Sequence, residues 1–141
     1  MLRTEKQVAL DTVINSSLRS IEHYRWTGDS CDDEQLKTLL NKLALHRQKI
    51  VDKLAPQMHK LGDMASSPDP EKLAVEEIVT QIKATFSEDE KDALLTSLDE
   101  FDSQLLQDIS EAFSLDFDAE TMAILRELQQ SVAEAGKQRG S

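Results

Sequence analysis

The sequence predicts an all-α fold in which four long amphipathic helices form two antiparallel hairpins around one core. Three observations point there. Leu, Ala, Gln, Glu and Lys, all good helix formers, together make up nearly half of the chain, while aromatic residues make up only 4%. Four Gly and three Pro in 141 residues leave room for few tight turns. Apolar residues recur at helical spacing along most of the chain, so each helix has one apolar face to bury.

The first helix is expected over about 4–26. Leu10, Ile14, Ser17, Ile21 and Tyr24 form its stripe, beside Val13 and Leu18, and the serines at 16, 17 and 20 thin that face enough for a neighbour to approach closely. TGDS at 27–30 ends it, and Ser30 with Asp33 has the spacing of a capping box. The second helix, about 32–61, carries Leu36, Leu40, Leu43, Arg47, Ile50, Leu54, Gln57 and Leu61, widened by Leu39, His46 and Met58. Pro56 lies inside it and should kink it, leaving the Asp52 carbonyl without its usual donor. Gly62 is suited to a left-handed cap.

MASSPDP at 64–70 reads as a linker, with Asp69 and Pro70 opening a short helix over about 71–85 marked by Leu73, Ile78, Ile82 and Phe86. Ser87 and Glu90 make a capping box for the next long helix, about 88–113, whose stripe is Leu94, Leu98, Phe101, Leu105, Ile109 and Phe113. SLDFD breaks the pattern, and Asp118 can cap a last helix over about 119–135 carrying Met122, Leu125, Leu128 and Val132. The domain is therefore expected to occupy 1–135, with 64–87 as a crossover and 136–141 as a flexible tail. Short connections make the first pair and the last pair of long helices antiparallel hairpins. The long segment between them can run from one end of the bundle to the other, which is the ferritin-like arrangement.

Composition narrows the function. Sixteen Lys plus Arg against 27 Asp plus Glu give a net charge of −11, which repels phosphate backbones and anionic headgroups, so neither nucleic acid nor membrane is an expected partner. An apolar fraction of 39%, regularly spaced, is too high for a disordered acidic tail. Cys31 is the single cysteine, so no internal disulfide can form. Charges occupy the N-terminus where a signal sequence would be apolar, and no apolar run is long enough to span a bilayer. The expectation is a soluble protein of the reducing cytoplasm.

Several features also resemble a family. The helix ending in Tyr24, then Asp32, Leu36 and Lys37, the Leu43-Ala44 pair with Arg47, and the Leu61-Gly62 stop resemble an uncharacterised group of bacterial ferritin-like proteins often associated with stress responses. The stretch LLTSLDEFDSQLLQDISEAFSLDFDAETMAILRELQQSV is similar to the third and fourth bundle helices of that group, including the turn near Leu115. The resemblance implies a ferritin-like four-helix bundle and a setting in stress physiology. Di-iron members of that fold need a Glu-x-x-His on each of two helices. Here Ser20, Leu43 and Pro56 stand three residues before His23, His46 and His59, so the pattern is missing, as are HExxH and paired-cysteine zinc spacings. No metal ligand set, cofactor or catalytic residue is assigned on this reading.

A polar cluster is nevertheless expected mid-bundle. Arg47 falls on a stripe where Leu would fit, and a buried arginine needs a carboxylate, so Glu22, Asp99 or Asp102 should pair with it. Glu22, His46, Arg47 and Asp102 are its candidate members, acting either as a register-fixing ion pair or as the remnant of a ligand cluster. His59 has Asp63 four residues on as a local partner. Cys31, at an expected helix start, is a candidate reactive thiol, although Asp29, Asp32 and Asp33 oppose a lowered pKa. Trp26 is placed to plug the bundle end or sit in a dimer contact. No nucleophile–base pair, glycine-rich phosphate loop or basic aromatic patch is present.

Three functions are compatible with these residues. The first is a non-catalytic bundle acting through protein contacts, with a protein partner or as a homodimer. The second is a divergent metal-binding or oxidative protein using Glu22, His46 and Asp102. The third is an acidic adaptor for a basic partner.

Overall fold

The computed structural model describes residues 3–62 and 88–140, and every regular element among them is a helix. They are α1 (Glu5–Asp29), α2 (Glu34–Val51), α3 (Leu54–Lys60), α4 (Glu88–Phe113) and α5 (Ala119–Gln138). The expected short helix over 71–85, the Ser87–Glu90 capping box and the His59–Asp63 pair lie outside the described residues.

Local chemistry explains the boundaries. Thr4 opens α1 with a complete capping box: its hydroxyl accepts from the Gln7 N–H, and the Gln7 side chain accepts from the Thr4 N–H. α1 runs three residues past the expected Trp26, and Trp26 itself is half-buried. Ser30 closes α1 rather than opening α2. The N-cap of α2 is Asp33, which accepts from the N–H groups of Gln35 and Leu36. The expected long second helix is two helices, broken at Asp52 and Lys53. Pro56 has no N–H to give the Asp52 carbonyl, and its place in the first turn of α3 is one that proline tolerates. Gly62 ends α3 with φ +84°, in the left-handed region. α4 has the expected span, and Asp118 caps α5 by accepting from the Thr121 N–H at 2.8 Å. The tail expected over 136–141 is instead helical to Gln138, and Arg139 is buried.

Side-chain pairings give the directions of the rods. Arg47 meets Ser20 and the Gln7 side chain donates to the Leu61 carbonyl, so α2 and α3 run antiparallel to α1. Tyr24 meets Asp102 and Ser16 meets Asp108, so α4 is also antiparallel to α1. Thr121 donates to Gln57 and Lys53 meets Glu127, so α5 runs against α2 and α3. α1 packs on α2, α3 and α4, and α5 packs on the same three, leaving α1 facing α5 and α2 facing α4 across the core. The core is mostly aliphatic: Leu10, Val13, Leu40, Leu54, Leu98, Leu105, Ile109, Leu125 and Leu128 are all buried. Ser17 and Ser20 are fully buried on α1, and each donates its hydroxyl proton to a carbonyl of its own helix. None of the described helices is long and apolar enough to cross a membrane.

Candidate functional site: a buried polar centre

Both diagonals of the four rods meet at one carboxylate. Asp102, on α4, accepts from Arg47 of α2 through two bonds, Nη1 to Oδ1 at 2.7 Å and Nη2 to Oδ2 at 3.3 Å. It also accepts from Arg139 Nη2, just past α5, at 2.8 Å, and from the Tyr24 hydroxyl on α1. Arg47 Nη1 donates as well to Ser20 Oγ at 2.9 Å, and Arg139 Nε donates to the Tyr24 hydroxyl oxygen at 2.7 Å. Arg139 Nη1 pairs with Asp99, one turn before Asp102 on α4. Arg47 and Tyr24 are 1% exposed and Asp102 is 4%, so this centre is inside the protein rather than on its rim.

The chemistry is balanced. Two guanidiniums face two carboxylates, and the phenol supplies one donor and one acceptor. The Tyr24 ring adds a further contact: the guanidinium carbons of Arg47 and Arg139 lie 4.6 and 5.4 Å from its centroid. Burial pushes the Tyr24 pKa up from 10.0 to about 12, with Arg47 opposing and the Asp102 charge and hydrogen bond assisting. The phenol therefore stays protonated at neutral pH. Burial works against the charge of Arg139, but its bond to Asp99 and the nearby Tyr24 and Asp102 outweigh it, and its pKa lies above the ordinary value. Arg47 Nε is buried without an acceptor among the described residues, the one nitrogen of this guanidinium that makes no bond there. Next to the centre, His23 is buried and stacks on Phe101 with centroids 4.0 Å apart.

Of the expected cluster, Arg47 and Asp102 come together and Glu22 and His46 do not. Glu22 is half-exposed and bonded to Arg25 at 3.4 Å. It is two residues from Tyr24, which turns it well off the buried stripe of α1. His46 is exposed and lines an open groove of about 420 Å³ between α2 and α5, with Leu43, Glu127 and Glu134. One residue's step on a helix is a rotation of about 100°, so the neighbour of a buried Arg47 points elsewhere. Glu22, His46 and Asp102 do not converge, and among the described residues no three His, Cys, Asp or Glu side chains form a group that could hold a metal ion. Cys31 is half-buried, two residues ahead of the α2 N-cap, and Asp33 rather than the thiol holds the first free N–H groups of that helix. Tyr24, Ser20 and Arg139 complete the centre but are not among the residues expected in it. Tyr24 and Ser20 are visible in the sequence only as core-stripe positions, and Arg139 carries no apolar signal.

A scan against family models matches residues 6–115 to a domain of unknown function, DUF2383. No curated protein and no solved structure matches the chain. The match ends at Leu115, so it takes in Tyr24, Arg47, Asp99 and Asp102 but not Arg139. Since it covers well over half of the 141 residues, the chain belongs to the DUF2383 family, an uncharacterised domain family.

Proposed function

We propose that this protein is a ferritin-like four-helix bundle that acts through protein–protein contacts and not through catalysis, as a homodimer or with another protein, in the cytoplasm and in the stress setting that the sequence resemblance implies. The observation that carries the reading is the content of the bundle centre. Where the helices bring their buried polar groups together, two arginines and a tyrosine hydroxyl already occupy both oxygens of Asp102. A metal entering there would meet two fixed cations, and a substrate would meet groups already bonded to one another. The ferritin-like arrangement is supported by the directions of the rods: α1 and α5 run one way, α2 and α4 the other. The ends of the connection also sit apart. α3 finishes beside the starts of α1 and α5, while Lys91 near the start of α4 pairs with Asp33 at the other end.

The divergent metal-binding reading needs a carboxylate–histidine set, and the half-exposed Glu22 and the exposed His46 are its remaining members. Offering Fe(II), Mn(II) and Zn(II) to the untagged protein, dialysing and quantifying metal per chain separates the two. No retained metal is the expected result. Near-stoichiometric iron or manganese that is lost on Glu22→Ala or His46→Ala would overturn the proposal. Sedimentation over a concentration series then distinguishes a second copy from a different protein as the partner.

A further inference from the structure

The two arginines that share Asp102 are held in unlike ways. Arg47 sits in the interior of α2, with Ala44, Ile50 and Val51 buried around it on the same helix, so it cannot leave unless α2 leaves. Arg139 follows the last helical residue of α5. Beyond Ala135 it is the only buried side chain of that turn: Lys137, Gln138 and Gly140 are exposed, and Gly136 has no side chain to bury. Glycine is also among the poorest helix formers, so the turn has little intrinsic reason to stay wound. The turn has no apolar side chain to anchor it. Among the described residues, side-chain bonds from Arg139 to Tyr24, Asp99 and Asp102 dock it.

We propose that residues 136–140 form a strap, latched among the described residues by Arg139, which releases as a unit while the rest of the bundle stays folded, and that its release uncovers the Tyr24–Asp102 centre. The electrostatics favour such a two-state element. When Arg139 leaves, Asp102 keeps the paired bonds of Arg47, so no buried carboxylate is stranded. Asp99 is 45% exposed and passes to water easily. The phenol keeps its bond to Asp102 and loses only the Arg139 donor. The closed state gains charge-assisted hydrogen bonds and the open state gains chain entropy, which is the balance that places a segment at the low-stability end of a fold. The bundle end next to Asp99 thus has a latched form with a sealed polar centre and a released form with that centre open.

The test uses the full chain and two readouts. Native-state hydrogen exchange by mass spectrometry compares wild type with Arg139→Gln. Nitration of Tyr24, the only tyrosine, reports exposure of the ring. The expected result is exchange faster by about tenfold or more over the end of α5, the equivalent of one charge-assisted hydrogen bond, with Leu98–Ile109 and Ile124–Val132 unchanged and nitration accelerated alongside. A second variant works in the opposite sense. Gly136→Ala fits, since the nearest atom to an added methyl is Arg139 Nη2 at 3.9 Å, and it should slow exchange of the same turn. Unchanged exchange in Arg139→Gln would show that Arg139 is no latch. Exchange accelerated equally throughout the chain would show that the strap cannot release by itself. Faster exchange without faster nitration would refute the uncovering of the centre.

Discussion

Replacing Asp102 by Asn removes one charge and almost no volume, yet it should unsettle both buried arginines. The carboxylate accepts four hydrogen bonds, two from Arg47, one from Arg139 and one from Tyr24. The amide offers a single acceptor oxygen and turns N–H donors toward donors. Arg139 retains the half-exposed Asp99, while Arg47 is left 1% exposed with only Ser20, among the described residues, to accept from it. Charge-assisted bonds contribute about 1.5–3 kcal/mol each, so adding four would give a sum comparable to the whole stability of a domain. Relaxation and water entry reduce that, and breaking a buried pair costs about 3–5 kcal/mol in practice. Because Asp102 serves two cations, the expected loss is near the upper figure, about 5 kcal/mol. Arg47→Met should cost less, about 3 kcal/mol, since Asp102 then keeps Arg139 and Tyr24. Urea unfolding followed by far-UV circular dichroism measures both, with unchanged m-values as the condition for reading them as stability. A loss below about 1 kcal/mol for Asp102→Asn would put the centre among solvent-screened surface pairs and rule out a buried, tightly coupled network.

Tyr24 makes the protein sensitive to alkali. Its pKa is about 12 folded against 10.0 unfolded, so its contribution is fully present below pH 10 and is lost as pH rises through 12, a fall on the order of 3 kcal/mol. Urea midpoints taken across that range should show the fall in wild type and not in Tyr24→Phe, and equally steep curves would sink the assignment. Gly62→Ala should cost about 1 kcal/mol, because φ is +84° and no atom of the described residues lies within 4 Å of the added methyl, leaving backbone strain as the effect. His46→Ala should change stability by no more than about 0.5 kcal/mol in the same assay, as expected of an exposed side chain outside the buried network.

The residues whose roles are legible in the sequence are those whose signal is local. The stripe Leu94, Leu98, Leu105, Ile109 and the cap Asp118 place α4 and α5 because helix periodicity and capping act within a few residues. Arg47 announces a buried ion pair because it interrupts an apolar stripe, and Asp102 is one of three carboxylates near enough along the rods. Periodicity cannot choose among those three, since the choice depends on how two helices from different hairpins face each other. It places Glu22 and His46 in the cluster only by letting proximity in sequence stand for proximity in space. Arg139 reads as tail because the turn around it has no apolar residue, and its bonds span 37, 40 and 115 residues of chain. The break at Asp52–Lys53 is legible as a kink from Pro56, but that the proline begins a separate helix depends on where the preceding turn unwinds.

The membership of the polar centre has a consequence for the order of folding. Tyr24, Ser20 and Arg47 belong to the first hairpin, Asp102, Asp99 and Arg139 to the second. Each hairpin can zip from contacts close in sequence, whereas the centre can close only when the two halves dock, across the longest separations in the chain. The bonds that cross between the hairpins, from Tyr24 and Arg47 to Asp102 and from Arg139 to Tyr24, are therefore expected to form late, so that removing them speeds unfolding with little slowing of folding. The buried arginine pair is in that sense a brake on leaving the native state, setting how long the folded molecule lasts more than how quickly it is made.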